Sequence, residues 1–193
     1  ALRARLARDA ASPDAVRAWV DAQDAVFSNC GDVPGRVPAE LPSTATMEQR
    51  RDRAYQIAAA DFYAGRYDVA ERRFRAIAAD PASPWRPLAR YLVVRTITRA
   101  AQRGHETPDA VGLARAAMEA RVLRDDPGAS AVREMTERYE GWIDTLRGGD
   151  ERAHQLGVSL ATAGSGARFE ESLRDYTALL ATGRDVFARQ PGD

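Results

Sequence analysis

The sequence predicts an all-α protein, and three observations carry that prediction. Apolar residues recur three and four apart in one stretch after another, the period of a half-buried helix. Proline, glycine and small polar residues collect between those stretches, where helices start and stop. No segment alternates apolar and polar residues for long enough to read as a strand. About eight or nine helices are expected, joined as antiparallel hairpins.

The first helix-prone stretch, residues 2–8, is short and rich in arginine. Ser12-Pro13 then opens a helix, because serine accepts from freed backbone N–H groups and proline suits the first helical position. Val16, Trp19, Val20, Gln23 and Phe27 are expected on its inward face. Gly31, Pro34, Gly35, Pro38 and Pro42 interrupt the pattern, so residues 28–45 read as an irregular loop.

Thr46 with Gln49 makes a capping box at the start of the next helix. Ala54, Ile57, Ala58 and Phe62 should face inward along it, and Gly65-Arg66 should turn the chain. A partner helix follows, with Ala70, Phe74, Ile77 and Ala78 on one face, and closes at Asp80-Pro81. Ser83-Pro84 is expected to start a helix through Leu88, Tyr91, Leu92, Val94 and Ile97. Thr107-Pro108 should start the next, with Val111, Leu113, Ala116, Ala117, Ala120 and Leu123 inward, ending at Asp126-Pro127. Asp80-Pro81 and Asp126-Pro127 suggest an internal period of about 46 residues, with one inserted residue just after the second pair. Three further helices carry Val132, Met135, Tyr139, Trp142, Ile143 and Leu146; then Ala153, Leu156, Leu160 and Ala163, capped by Asp150; then Phe169, Leu173, Tyr176 and Leu180.

This divides the chain into leading helices (1–27), the loop (28–45) and a helical-repeat region (46–193). The region has units at 46–81 and 84–127 and further helices over 129–183, all within one domain. At 193 residues the chain is long enough to bury a core without cross-links. Ala1 is not Met, so a segment, including a signal peptide, is expected to have been removed or to lie outside this stretch.

Residues 57–81 resemble a tetratricopeptide repeat. Ala58, Gly65-Arg66-Tyr67, Ala70, Phe74 and Pro81 stand near that family's consensus positions. The resemblance implies a right-handed α-solenoid in which Ala58 and Ala70 let paired helices touch, while Tyr67 and Phe74 fill between units. The chain departs from the pattern at Ala54 and Ile77, and in its 46-residue period. Trp19 with residues 23–27, together with 55–60, 83–85, 90–95 and 175–180, is similar to large exported bacterial proteins of unassigned function that contain such repeats. That similarity implies a periplasmic or secreted location, with the cytoplasm as the alternative.

Several chemistries have no footing in this sequence. All 28 basic residues are arginine, so no lysine can serve a phosphate loop, a Schiff base or general-base catalysis. The 28 acids balance them, which argues against nucleic-acid binding and ranks an RNA-binding reading last. No apolar run is long enough to cross a membrane. His105 and His154 belong to no metal-ligand motif, so neither a metal nor a cofactor is expected. Cys30 is the only cysteine and reads as a tolerated thiol, or as an intermolecular partner if the protein is exported. Asp125-Asp126 and Glu170-Glu171 read as helix-end acids, and Gly164-Ser165-Gly166 as a turn.

What remains is a surface. The resemblance places the first helix of a unit on a concave face, from which Asp52, Tyr55, Ala59 and Tyr63 would project, flanked by Trp85 and Arg86. Aromatic and arginine side chains anchor protein segments well, and Asp52 could accept from a basic group. Each has an ordinary reading too: Tyr55 and Trp85 as packing between helices, Asp52 as a solvated acid offsetting neighbouring arginines. The expected function is therefore a non-enzymatic scaffold that binds a protein or peptide at Asp52, Tyr55, Tyr63, Trp85 and Arg86. The alternative is an accessory structural domain of a larger enzyme or envelope assembly.

Overall fold

The computed structural model describes residues 13–30, 35–104, 108–148 and 150–188, with side chains at all of these except 150, 151 and 181–188. The described residues form eight α-helices and two short 3-10 segments, with no strand. The expectations for residues 2–8, Ser12, Thr107 and the Asp150 side chain lie outside what is described. The chain falls into two compact units, Ala1–Ala100 and Ala101–Asp193.

In the first unit, helix α1 (Pro13–Phe27) packs on α2 (Met47–Tyr63). Ala22 and Val26 of α1 are buried, whereas Val20 and Phe27, expected inward, are exposed. Val26 clusters with Ala59 and Ala60 of α2, so the seam runs along the Ala22–Val26 side of α1. The seam is also polar. The Gln56 amide donates to the Trp19 carbonyl (2.9 Å), and Arg53 donates to the carbonyls of Ala18 (2.9 Å) and Ala39 (2.6 Å). Gln56 rather than Ala54 therefore faces inward, and Ala54 is exposed.

Between these helices the chain is tied back by Asn29. Its buried amide donates to the carbonyls of Ala25 (2.8 Å) and Val26 (3.2 Å) at the end of α1, and to that of Arg36 across the loop (3.1 Å). Gly35 lies against this side chain, and a Cβ there would collide with the Asn29 carboxamide.

Both halves of the capping box form at the start of α2: the Gln49 N–H donates to Thr46 Oγ1 (3.2 Å), and the Thr46 N–H donates to Gln49 Oε1 (3.0 Å). At its end, Gly65 takes φ 71°, a conformation that other residues rarely adopt. The Arg66 N–H then reaches the Asp61 carbonyl and the Gly65 N–H the Phe62 carbonyl, satisfying carbonyls that the helix end leaves over. Helix α3 (Tyr67–Ala79) follows at once and packs on α2, burying Ala70, Phe74 and Ile77. Ala58 and Ala70 are wholly buried.

Helix α4 (Arg86–Gln102) starts later than Ser83-Pro84 implies. Ser83 is buried and its hydroxyl accepts the Trp85 N–H (3.3 Å), so residues 83–85 form a turn. Pro87, in the first turn of α4, is tolerated there because that turn has no intrahelical acceptor for its missing N–H. Thr96 and Thr98 are buried in α4 with their hydroxyls donating back to Leu92 and Val94.

In the second unit, α5 (Ala110–Asp125) is capped by Asp109, whose carboxylate accepts the N–H groups of Val111 and Gly112. Leu113, Ala116, Ala117, Ala120 and Leu123 are buried as expected, but Val111 is 78% exposed. It lies about 200° around the helix from Leu113, on the opposite face. A 3-10 segment (Pro127–Val132) leads into α6 (Arg133–Leu146), where the buried face is again rotated from the expected stripe. Val132 and Ile143 are buried as expected, but Thr136 and Glu140 are buried with them, while Trp142 is exposed. The cause is Glu140, whose carboxylate is held by Arg121 (3.3 Å) and Arg124 (2.7 Å) of α5.

Helices α7 (Asp150–Ala163) and α8 (Ala167–Ala188) pack on each other. Leu156 and Leu179 are buried, whereas Leu173 and Leu180 are exposed. Arg152 of α7 pairs with Asp175 of α8 (2.9 Å), so an ion pair joins the alanines, leucines and aromatic residues expected along these helices.

The turns at Asp80 and Asp126 share one geometry. Asp80 accepts the Ala82 N–H on its side chain (2.9 Å) and the Ser83 N–H on its carbonyl (3.1 Å). Asp126 does the same for Gly128 (2.7 Å) and Ala129 (3.0 Å), and the third residue onward, Ser83 or Ala129, is buried in both.

Candidate functional site

The residues expected on the open face of α2 divide sharply by burial. Asp52 and Ala59 are buried, Tyr55 is half-buried, and Tyr63 is open at 44% exposure. Asp52 is not a solvated acid: its Oδ1 accepts the indole N–H of Trp85 at 2.7 Å. The Trp85 ring lies flat on the Tyr55 ring, with centroids 4.1 Å apart and planes 11° from parallel. Phe74 of α3 approaches Tyr55 at 6.3 Å with its ring tilted by 56°. Asp52, Tyr55 and Trp85 thus meet as one cluster that holds the start of α4 to α2. Arg86 stands apart from it. It is exposed, and its Nε donates to the Ala78 carbonyl (3.1 Å), one of the carbonyls left over at the end of α3.

Tyr63 leads to a second group. Its ring meets Phe62 edge-on at 5.4 Å, and Tyr67 meets Phe62 at 5.8 Å. Over the Phe62 ring lies the guanidinium of Arg95 from α4, 5.6 Å from the centroid, and the same guanidinium is 6.0 Å from the Tyr91 ring. An arginine above aromatic faces is attracted by the ring quadrupole and held in orientation. Burial raises the Tyr55 hydroxyl above its ordinary pKa; neighbouring Tyr63 adds to this and Arg95 opposes it. Tyr55, Tyr63 and Arg95 therefore share one electrostatic neighbourhood.

Arg95 and Tyr91 were missed from sequence because α4 reads as an apolar helix. A signal was present: residues 81–104 contain five arginines and no acid. Two acids of α2 are buried and engaged. Asp52 accepts from Trp85, and Asp61, also buried, is held by Arg66 (2.8 Å) and Arg73 (2.9 Å). The set offers phenol groups, ring faces and a fixed guanidinium, which is chemistry for holding a partner.

A cleft of about 200 Å³ also opens between α1, the loop and α2, lined by Trp19, Leu41, Pro42, Gln49, Arg53 and Gln56. Arg53 and Gln56 there make the hydrogen bonds that fasten α1 and the loop to α2. Cys30 is exposed, and among the described residues no cluster of three or more His, Cys, Asp or Glu is placed to hold a metal ion. No helix among them is long and apolar enough to cross a membrane. No protein-family model, no characterised protein and no solved structure matches the chain.

Proposed function

We propose that this chain is a non-enzymatic helical domain that binds a protein or peptide segment on the face formed by Tyr55, Tyr63 and Arg95. The observation that carries the reading is Tyr63. A large aromatic side chain stays open to solvent beside Phe62, next to a guanidinium already held over ring faces. Tyrosine and arginine are the side chains that most often anchor protein partners. On this reading the helices pair as tetratricopeptide-like hairpins, with a right-handed solenoid as the expected arrangement. The support is local: a three-residue connection between α2 and α3, wholly buried Ala58 and Ala70, and the matched turns at Asp80 and Asp126.

Panning a random peptide library against the immobilised chain tests the reading. Enriched peptides should bind the Tyr63→Ala variant about tenfold more weakly, the cost of losing one anchor. Peptides that bind both forms equally place the partner elsewhere and reject this face.

A second reading, an accessory structural domain of a larger enzyme or envelope assembly, is favoured by one feature of α5. Val111, Met118 and Val122 form an exposed apolar row on the face opposite Leu113 and Ala120. A neighbouring domain would cover such a row. Met118→Arg should then disrupt assembly with the larger protein while leaving the fold of this chain intact.

A further inference from the structure

We propose that Arg66 and Arg73 form a binding site for a phosphoryl group, as free phosphate or as a phosphate monoester. The proposal does not depend on the peptide-binding reading above. Both guanidiniums are fixed on one acid: Arg66 Nε donates to Asp61 Oδ1 (2.8 Å), and Arg73 Nε lies 2.9 Å from Asp61 Oδ2. The Arg66 backbone N–H also donates to the Asp61 carbonyl (2.9 Å), so this residue is anchored twice at the turn into α3. About two helical turns separate it from Arg73, which sets the pair on one side of α3.

One guanidinium is enough to neutralise a carboxylate. Here two share it, and a positive charge is left over. The acids nearby on α3 have arginines of their own: Asp68 pairs with Arg72, and Glu71 with Arg75. Among the described residues, Asp61 is the only partner of Arg66 and Arg73, and each meets it through Nε. The terminal amino groups of both therefore remain to donate to a ligand. Asp61 is nearly enclosed while both arginines reach solvent, so the acid holds the pair from beneath and leaves its outer side accessible. Such fixing lowers the ordering cost of binding. Helix α3 opens at Arg66 with no side-chain cap, and the partial positive charge of a helix start adds to the same potential. A phosphoryl group suits this pair because its oxygens can accept from two guanidiniums at once. Its second negative charge also answers the surplus better than a carboxylate does.

Nuclear magnetic resonance of the arginine Nε–H groups in the full chain tests the proposal. The titrants are inorganic phosphate, a glycine-flanked phosphoserine peptide, the same peptide without phosphate, and acetate. Phosphate and the phosphopeptide should shift the Arg66 and Arg73 signals saturably. The signal of Arg51, bonded to Asp80 near the start of α2, should stay in place. Acetate and the plain peptide should bind at least about tenfold more weakly. Raising the pH across the second pKa of the phosphoserine, about 6, should tighten its binding several-fold. Arg66→Gln and Arg73→Gln should each weaken binding roughly tenfold, the loss of a charge-assisted hydrogen bond. Each single variant leaves the other arginine on Asp61, and thermal melts check its fold. If neither variant folds, the shifts and their pH dependence in the parent chain decide the matter.

Tighter binding of the phosphopeptide than of inorganic phosphate assigns the group to a protein partner, and equal binding assigns it to the free ion or a small ester. Acetate binding as well as phosphate, equal affinity of the parent and both variants, or no saturable shift at Arg66 and Arg73 overturns the proposal.

Discussion

The indole N–H of Trp85 donates to Asp52 across 33 residues of chain, and the acceptor is a carboxylate only 3% exposed. Removing Asp52 leaves that donor without its partner, and removing Trp85 strips the buried carboxylate of a donor. Asp52→Ala should lower stability by about 1–3 kcal/mol, the cost of a hydrogen bond to a charged group. Urea unfolding of the parent and variant measures it. A difference below about 0.5 kcal/mol, the size of an ordinary surface change, would remove this bond from the account of stability.

Asp61 poses an asymmetric case. Its side chain is nearly enclosed, whereas Arg66 and Arg73 are 42% and 43% exposed. If the acid is removed, both arginines can turn to water. If both arginines are removed, a buried carboxylate is left without either cation. The Arg66→Ala/Arg73→Ala double variant should therefore be less stable than Asp61→Ala, by about 1 kcal/mol or more. The opposite order in chemical denaturation would refute this account.

The pH dependence has a defined sign at Asp80. A bond from Arg51 and another from the Ala82 N–H hold its carboxyl below the usual value. A lowered folded-state pKa means that the unfolded chain takes up the proton first as pH falls. The contribution is thus complete above about pH 4 and is lost as pH drops through the lowered value. Melting temperatures of the parent and Asp80→Asn should differ at neutral pH and converge in acid. A gap that persists unchanged in strong acid would contradict the assignment.

Two helical glycines should respond unequally to alanine. A Cβ on Gly157 meets nothing within 4 Å, so Gly157→Ala should stabilise α7 by about 0.5–1 kcal/mol through helix propensity alone. A Cβ on Gly141 would come within 2.6 Å of the Arg152 guanidinium, which is paired with Asp175. Gly141→Ala should therefore gain less than Gly157→Ala or lose stability. Thermal melts of the two variants side by side decide it.

Helix ends were the most legible part of the sequence. The capping box at Thr46, the glycine turn at Gly65 and the stops at Asp80 and Asp126 each rest on local backbone chemistry. The phase of the buried faces was less so. Reading apolar residues as inward misplaces Val20, Ala54, Val111, Trp142 and Leu173. The inward positions in these seams include Gln56, Asp61, Thr136 and Glu140. Acids enter there because arginines from nearby turns or helices neutralise them, and threonines because their hydroxyls bond back one turn. These pairings follow polar side chains rather than apolar ones, so the period of apolar residues does not reveal them. For the site, Tyr63 was legible as an outward residue, whereas Arg95 became visible only when α4 was placed beside Phe62.

The flat contact of Trp85 with Tyr55 also gives the molecule an optical gauge of its own assembly. One ring sits in the middle of α2 and the other just ahead of α4, so the two meet only after the chain between them has doubled back. With Trp19 and Trp142 replaced by Phe, the remaining indole should report in real time when that doubling back is complete.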